Sequence, residues 1–303
     1  MKILITGSTG FLGRFLVRNL KNDNHVFELS SKNTDLRNSS SLGFIEKEKF
    51  DLIYHLAAWT QAGDFCLYHT GDQWINNQLI NSNILQYWKN SNPQAKLISI
   101  GTSCSYDPNL DLDESNYLYG NPIESLFTYA MTKRMLHIGK DSLAKQFNMK
   151  YLTVVPSTLY GPNYHQDGRQ MHFIFDLIYK ILLAKKKNVI PVLWGDGNQR
   201  RELVYVDDFV NKLIYLSENF ENEIINIGSG IDYSIKEFAS EICKIVDYDF
   251  NLIRFDKDKY VGAKSKMLRI DKLKKYITGN KDTSLKLGLK KTIEWMEKNI
   301  EIK

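Results

Sequence analysis

Seven residues near the N-terminus, Gly7-Ser8-Thr9-Gly10-Phe11-Leu12-Gly13, restrict the fold of this chain more than any others. They follow a short apolar run, Lys2 to Thr6, and open a stretch with helical spacing, Phe11 to Leu20. Glycines at these points let the backbone turn sharply from strand into helix and let the amides of the helix N-terminus approach a pyrophosphate. A strand, a glycine turn and a helix in that order begin a dinucleotide-binding fold. Read in isolation, the same turn also serves as a tight structural connection.

The segments beyond the turn favour the dinucleotide reading. Short β-branched or apolar runs at His25 to Leu29, Leu52 to Ala57, Lys96 to Gly101 and Tyr151 to Pro156 alternate with helical stretches, among them Asp72 to Trp88 and Phe127 to Phe147. Alternation of this kind predicts an α/β fold, a doubly wound parallel sheet of the Rossmann type with right-handed crossovers. Beyond residue 160 the pattern loosens, with turns at Gly161-Pro162-Asn163 and Trp194-Gly195-Asp196-Gly197-Asn198. The expected division is a cofactor-binding Rossmann domain over 1–160 and a smaller, mainly substrate-binding C-terminal domain over 161–303. A run at Glu223 to Ile227 is expected to return to the sheet.

Composition narrows the ligand. With 40 basic and 35 acidic residues the net charge is +5, too mild for nucleic acid and suited to an anionic small molecule. No run approaches the roughly 18 to 20 apolar residues of a spanning helix, and the N-terminal run breaks too early for an export signal. Three widely spaced cysteines, Cys66, Cys104 and Cys243, suit reduced thiols in a cytoplasmic protein rather than a disulfide frame or metal site. The lysine-rich segment 256–275 reads as solvated surface, with one or two cations available to a substrate phosphate. Lys185 to Lys187 read as a helix end.

The tip of the second strand selects between cofactors. An acid there would bond the adenosine ribose, whereas this chain has Ser30-Ser31-Lys32, with Arg14 just past the glycine loop. Hydroxyls and a cation favour NADP over NAD, and Glu28, inside the strand, is the opposing signal. Further on, Tyr129 and Lys133 stand at i and i+4 of a predicted helix, so phenol and ammonium share a face. The cation is expected to bring the phenol's proton affinity down toward neutral pH. The fourth strand ends in Gly101-Thr102-Ser103-Cys104-Ser105-Tyr106, placing hydroxyls at the sheet edge where α/β folds bind ligands.

Together with His55-Leu56-Ala57-Ala58, these features resemble the extended short-chain dehydrogenase/reductase superfamily over the whole chain. The resemblance implies a triad in which Tyr129 transfers a proton, Lys133 supports it and Thr102 steadies the reacting oxygen. It implies cofactor contacts at Gly7, Thr9, Gly10, Phe11, Leu12, Gly13, Ser30, Ser31, Lys32, Asp35, Leu36, Leu56, Ala57, Ala58 and Gly101. Pro156, Thr158 and Leu159 belong to the same set, although Thr158 replaces the usual asparagine.

Within that superfamily, Leu159-Tyr160-Gly161-Pro162, His172, Trp194-Gly195-Asp196-Gly197 and Arg201-Glu202 are similar in order and spacing to the GDP-L-fucose synthase family. That resemblance implies a GDP-4-keto-6-deoxy sugar 3,5-epimerase and C4 reductase. Cys104 and His172 would then exchange the protons flanking the ketone, and Ser103, Lys180, Trp194, Arg201 and Lys266 would contact the nucleotide sugar. As structural residues, Cys104 would pack under the sheet and His172 would cap or pack a helix.

This chain also departs from the family. The loop Trp59-Thr60-Gln61-Ala62-Gly63-Asp64 lacks a glycine pair, Val261-Gly262 replaces an Asp-Gly, and Arg269 replaces an aspartate. These changes predict a reshaped sugar pocket, open to a 6-deoxyheptose or a 3,6-dideoxyhexose. C4 reduction without epimerisation, an NAD-dependent 4-epimerase or dehydratase, and a non-catalytic NADP-binding module are the competing readings. The absence of acidic residues after Thr102 counts against a dehydratase. The superfamily implies a homodimer through the helices at 72–88 and 127–147, with Ile75, Leu79, Leu85 and Trp88 facing either a partner or the sheet.

Overall fold

A computed structural model of the protein describes residues 1–62, 65–165, 167–259, 263–279 and 281–302. Gly63, Asp64, Val261 and Gly262, singled out above, lie outside them. The first half runs β1 (Lys2–Thr6), α1 (Phe11–Leu20), β2 (His25–Leu29), β3 (Leu52–His55), α2 (Phe65–Tyr68), α3 (Thr70–Ser91), β4 (Lys96–Ile100), α4 (Phe127–Phe147) and β5 (Lys150–Pro156). The chain continues through β6 (Thr158–Tyr160), α5 (Phe173–Lys187), β7 (Val192–Trp194), β8 (Arg200–Tyr205), α6 (Val206–Asn219) and β9 (Glu223–Ile227). It closes with β10 (Asp232–Ser234), α7 (Ile235–Val246), β11 (Arg254–Asp256), β12 (Ser265–Lys266), α8 (Asp271–Tyr276) and α9 (Leu285–Asn299).

Among the described residues, six strands form one sheet in the order β2-β1-β3-β4-β5-β9, every neighbouring pair parallel. A parallel sheet is covered on both faces, which is why β3 is buried throughout. Phe15, Leu16, Phe209 and Leu213, from α1 and α6, pack one face; Ile84, Tyr87 and Trp88 of α3 pack the other. From β1 the chain steps one way to β2, then crosses to β3 on the other side. The crevice of such a sheet opens outside the carboxyl ends of the two strands at this switch, here β1 and β3.

The four apolar side chains noted on α3 divide. Trp88 is fully buried on the sheet, whereas Ile75 and Leu79 are exposed. The triplet Lys185 to Lys187 does close α5, and Lys185 and Lys186 donate to the carbonyls of Val246 and Ile302.

Besides α6 on the sheet face, β9 and one buried amide join the second half to the first. Asn226 Oδ1 accepts from Tyr106 Oη at 2.6 Å, and its Nδ2 donates to the carbonyls of Leu112 and Arg269. Its backbone N–H donates to Glu114 Oε1. Arg269 therefore contributes its backbone to this hub, while its side chain pairs with Asp271 in solvent. Beside the hub, β8 pairs with β10, β12 and β6, next to a second core built from α5, α7 and α9.

Candidate active site

The glycine loop owes its shape to contacts that only glycine permits. Gly7 has φ +69, and a Cβ there would stand 2.9 Å from Ala57 N; a Cβ on Gly13 would stand 2.2 Å from the Gly7 carbonyl oxygen. Turn and helix are thus pressed against each other and against the chain leaving β3. Gly10 caps α1 without a side-chain bond, the first turn holds no acid, and Thr9 and Gly10 are open to solvent. An exposed helix start with no competing carboxylate suits a diphosphate.

Around this cradle the structure gathers the expected cofactor set at the carboxyl edge of the sheet. Leu56, Ala57 and Ala58 follow β3, Gly101 follows β4, and Pro156, Thr158 and Leu159 lie around the end of β5. Ser157, between them, has a buried hydroxyl with no hydrogen-bond partner among the described residues. Past β2, Ser30 anchors a turn through Asn33, leaving Ser31 and Lys32 exposed. The Asp35 carboxylate is held by Arg37 at 2.8 Å, and Leu36 packs into the core beneath. The ring of Phe11 lies against Tyr164 and Phe175 at 5.3 and 6.0 Å, linking the cradle to the C-terminal half. Glycine cradle, orphaned hydroxyl and acid-free tip together fit a bound dinucleotide.

Thr102 begins a short turn after β4, and its Oγ1 accepts from the Cys104 amide at 3.2 Å. Tyr129 and Lys133 occupy successive turns of α4, with Lys133 Nζ 5.9 Å from the phenol ring centre. The expectation that Lys133 draws the phenol down is not met. Burial, then the Cys104, Cys66 and Tyr117 charges, push Tyr129 up, and burial brings Lys133 down to about 8. At neutral pH the pair is a protonated phenol beside an ammonium. A proton donor to a reduced ketone needs that state.

Sequence reading missed one pairing altogether. Lys266 Nζ donates to Cys104 Sγ at 2.9 Å, across 162 positions of the chain. The register of β8 and β12 sets Lys266 beside Arg201, whose guanidinium donates to the carbonyls of Arg200 and Ala263. Beneath them Glu202, 1% exposed, accepts from the amides of Gly230 at 2.7 Å and Leu268 at 3.0 Å, so a buried carboxylate fixes the strand that carries Lys266. Burial would raise the Cys104 thiol. The charge and hydrogen bond of Lys266, with Thr102 and Arg201, outweigh it and hold the thiol below its ordinary value.

His172 precedes α5, and its amide donates to Tyr164 Oη at 3.2 Å. The residue is exposed at the surface. Protein on its other sides, then the Lys266 cation and His165, bring it down to about 4. One ammonium thus acts on both Cys104 and His172. Farther out, Lys180 pairs with Asp176 at 2.7 Å and lies 5.9 Å from the Trp194 ring, which is 58% exposed. Ser103 is half-buried, and Asn77 and Gln73 of α3 pin Trp59 and Thr60 of the loop that follows β3. All three cysteines are free thiols, and no metal-holding cluster occurs among the described residues.

The family model for the NAD dependent epimerase/dehydratase family matches residues 3–228. The chain belongs to this family. It is 30% identical to GDP-L-colitose synthase of Yersinia pseudotuberculosis, the match covering 99% of each chain. It is 29% identical to GDP-L-fucose synthase of Escherichia coli K12, over 98% of this chain and 97% of the relative. Among solved structures, a GDP-L-fucose synthetase from Naegleria fowleri bound to NADP superposes with a TM-score of 0.87 at 24% identity, over 98% of this chain and 94% of that one. No helix among the described residues is long and apolar enough to cross a membrane.

Proposed function

We propose that this protein is an NADPH-dependent epimerase and C4 reductase acting on a GDP-4-keto-6-deoxy sugar. The observation that carries the reading is the company Tyr129 and Lys133 keep. A reductase needs only a proton donor and its support, yet here a thiol whose charge acts on Tyr129 and an imidazole both lie within reach of the Lys266 charge. Hydrogens α to a ketone are acidic enough for a positioned base, and inversion at such a carbon needs a proton returned from the opposite face.

Cys104, as the thiolate, takes an α proton: the C–H bond breaks, S–H forms, and the electron pair moves onto the ketone oxygen. Thr102 steadies that oxygen. His172 stays uncharged in the free protein, and the negative diphosphate of a bound substrate brings it toward the neutral range, where it returns a proton. When bound, the nicotinamide supplies hydride to C4, and Tyr129 gives its proton to the resulting alkoxide. Lys180 and Arg201 supply cations for the diphosphate, with Trp194 as an apolar face beside Lys180.

The names of the relatives support GDP as the nucleotide. GDP-L-colitose, which the Yersinia relative is named for making, is one admissible product, because the loop at Trp59 alters the sugar side. Exposed Ser31 and Lys32 favour NADPH, so its catalytic efficiency should exceed that of NADH; a clear NADH preference overturns the cofactor choice. The exposed Ile75 and Leu79 of α3 support a homodimer, and the free thiols support a cytoplasmic setting.

The deciding experiment incubates the protein with NADPH and a GDP-4-keto-6-deoxy sugar in deuterated water. Deuterium at C3 or C5 together with NADPH consumption is expected. NADPH consumption without deuterium leaves a simple C4 reductase, and neither signal with any GDP-4-keto sugar ends the assignment.

A further inference from the structure

The geometry points to Lys266 as the residue that holds Cys104 ready as a base, a positioning role in place of the phosphate contact expected from its sequence context. The inference rests on the proposed reaction for its purpose, but not for its existence. Three observations carry it. Lys266 Nζ lies 2.9 Å from Cys104 Sγ, within hydrogen-bonding range of sulfur. The side chain is half-buried and delivered by a strand whose position is pinned twice, by pairing with β8 at Arg201 and by the Glu202 carboxylate on the Leu268 amide. Arg201, the neighbouring cation, spends one guanidinium nitrogen on backbone carbonyls, while Lys266 reaches the sulfur.

The groups that face Cys104 from other elements do not oppose this. Cys66 of α2, Tyr117 ahead of α4 and Tyr129 of α4 are each raised by burial, which outweighs the hydrogen bonds that lower Cys66 and Tyr117, so they remain uncharged at neutral pH. Thr102 and Arg201 act in the same direction as Lys266. A thiolate beside a fixed ammonium is also the nucleophilic form of cysteine. Cys104 is therefore readable without any substrate.

The test follows carboxamidomethylation of the ligand-free protein by iodoacetamide across pH, with each cysteine read by peptide mapping. The thiolate attacks the CH2 carbon, an S–C bond forms and iodide leaves; buried Cys66 and Cys243 serve as slow internal references. Cys104 in the unaltered protein should titrate below the ordinary thiol value of about 8.5. Lys266→Gln should move that midpoint up by about one unit, a loss of roughly tenfold in alkylation rate near neutrality. Lys266→Arg should restore most of the shift. An ordinary midpoint in the unaltered protein overturns the proposal even where a variant fails to fold, and so does a midpoint that Lys266→Gln leaves in place.

Kinetics supply the second arm. Lys266→Gln should depress the rate of deuterium entry more than it raises the KM of the nucleotide sugar. A raised KM with unchanged deuterium entry instead assigns Lys266 to the diphosphate and ends the proposal. Should no GDP-4-keto sugar turn over at all while the alkylation shift persists, the Lys266–Cys104 pair stands and the proposed function falls.

Discussion

The cofactor cradle and the sugar side of the cleft are built on different principles. In the cradle, backbone does the positioning: three glycines within seven residues press strand, turn and helix together, and side chains matter mostly by being absent. On the sugar side, side chains from distant segments do it. Cys104 leaves β4, Lys266 arrives on β12, His172 precedes α5, and a buried carboxylate holds the chain just past β12. A cradle of the first kind tolerates change in its ligand's reactive end, because it reads only the diphosphate. The second kind can be retuned one side chain at a time.

If that contrast is right, the largest loss comes from chemistry rather than architecture. Tyr129→Phe removes the only phenolic proton on the triad and should lower kcat by roughly 100- to 10,000-fold, measured as NADPH oxidation, with little change in cofactor affinity. A loss under tenfold would mean another group donates the proton, and the triad would have to be redrawn.

The next two substitutions set backbone against side chain. Gly13→Ala forces a methyl toward the Gly7 carbonyl oxygen at 2.2 Å, and should cost on the order of 1–3 kcal/mol while weakening NADPH binding. Glu202→Ala strips the acceptor from the Gly230 and Leu268 amides; it should cost about 1–3 kcal/mol and disturb the Cys104 titration while sparing NADPH affinity. Urea unfolding and fluorescence titration with NADPH read both. If Glu202→Ala weakens NADPH binding as strongly as Gly13→Ala does, the two regions are not separable.

The same contrast explains what the sequence disclosed. The parallel strands, the helices at 11–20 and 127–147 and the glycine turn follow local rules of spacing, and the structure reproduces them. The Lys266–Cys104 contact depends on β12 finding β8, which no local pattern announces. Lys266 could therefore be singled out by context but not given its partner. The Tyr129 environment misled for a related reason. Spacing on a helix places a lysine near a tyrosine, but burial, which spacing does not report, raises the phenol and lowers the amine.

Acid should distinguish the regions more gently. His55, the last residue of β3, bonded to Thr6 at 2.9 Å, is brought down by burial to about 3, and His137 of α4 to about 4. Unfolded, each titrates near 6.5, so above that pH neither affects stability. Below it the unfolded chain binds protons that the folded chain refuses, and stability falls by up to about 1.4 kcal/mol per pH unit for each histidine. Both lie on the sheet side of the molecule, whereas His172 is reached by solvent. Urea midpoints at pH 7, 6 and 5 should decline, and His55→Asn should flatten the decline. An unchanged slope would show that His55 charges in place.

The smallest effect lies at alkaline pH and separates the two members of the catalytic pair. Lys133 is brought down to about 8 by burial alone, so its ammonium is intact below that pH and lost above it; Tyr129 is raised and keeps its proton throughout. Reduction should therefore weaken above about pH 8, with kcat/KM falling by up to tenfold per unit, and the limb should belong to the lysine. Lys133→Arg, which stays charged, should remove that limb even where it lowers the plateau. If the limb remains at the same pH in Lys133→Arg, it reports another group, and Cys104, whose proton state the sugar side controls, is the one to follow next by alkylation.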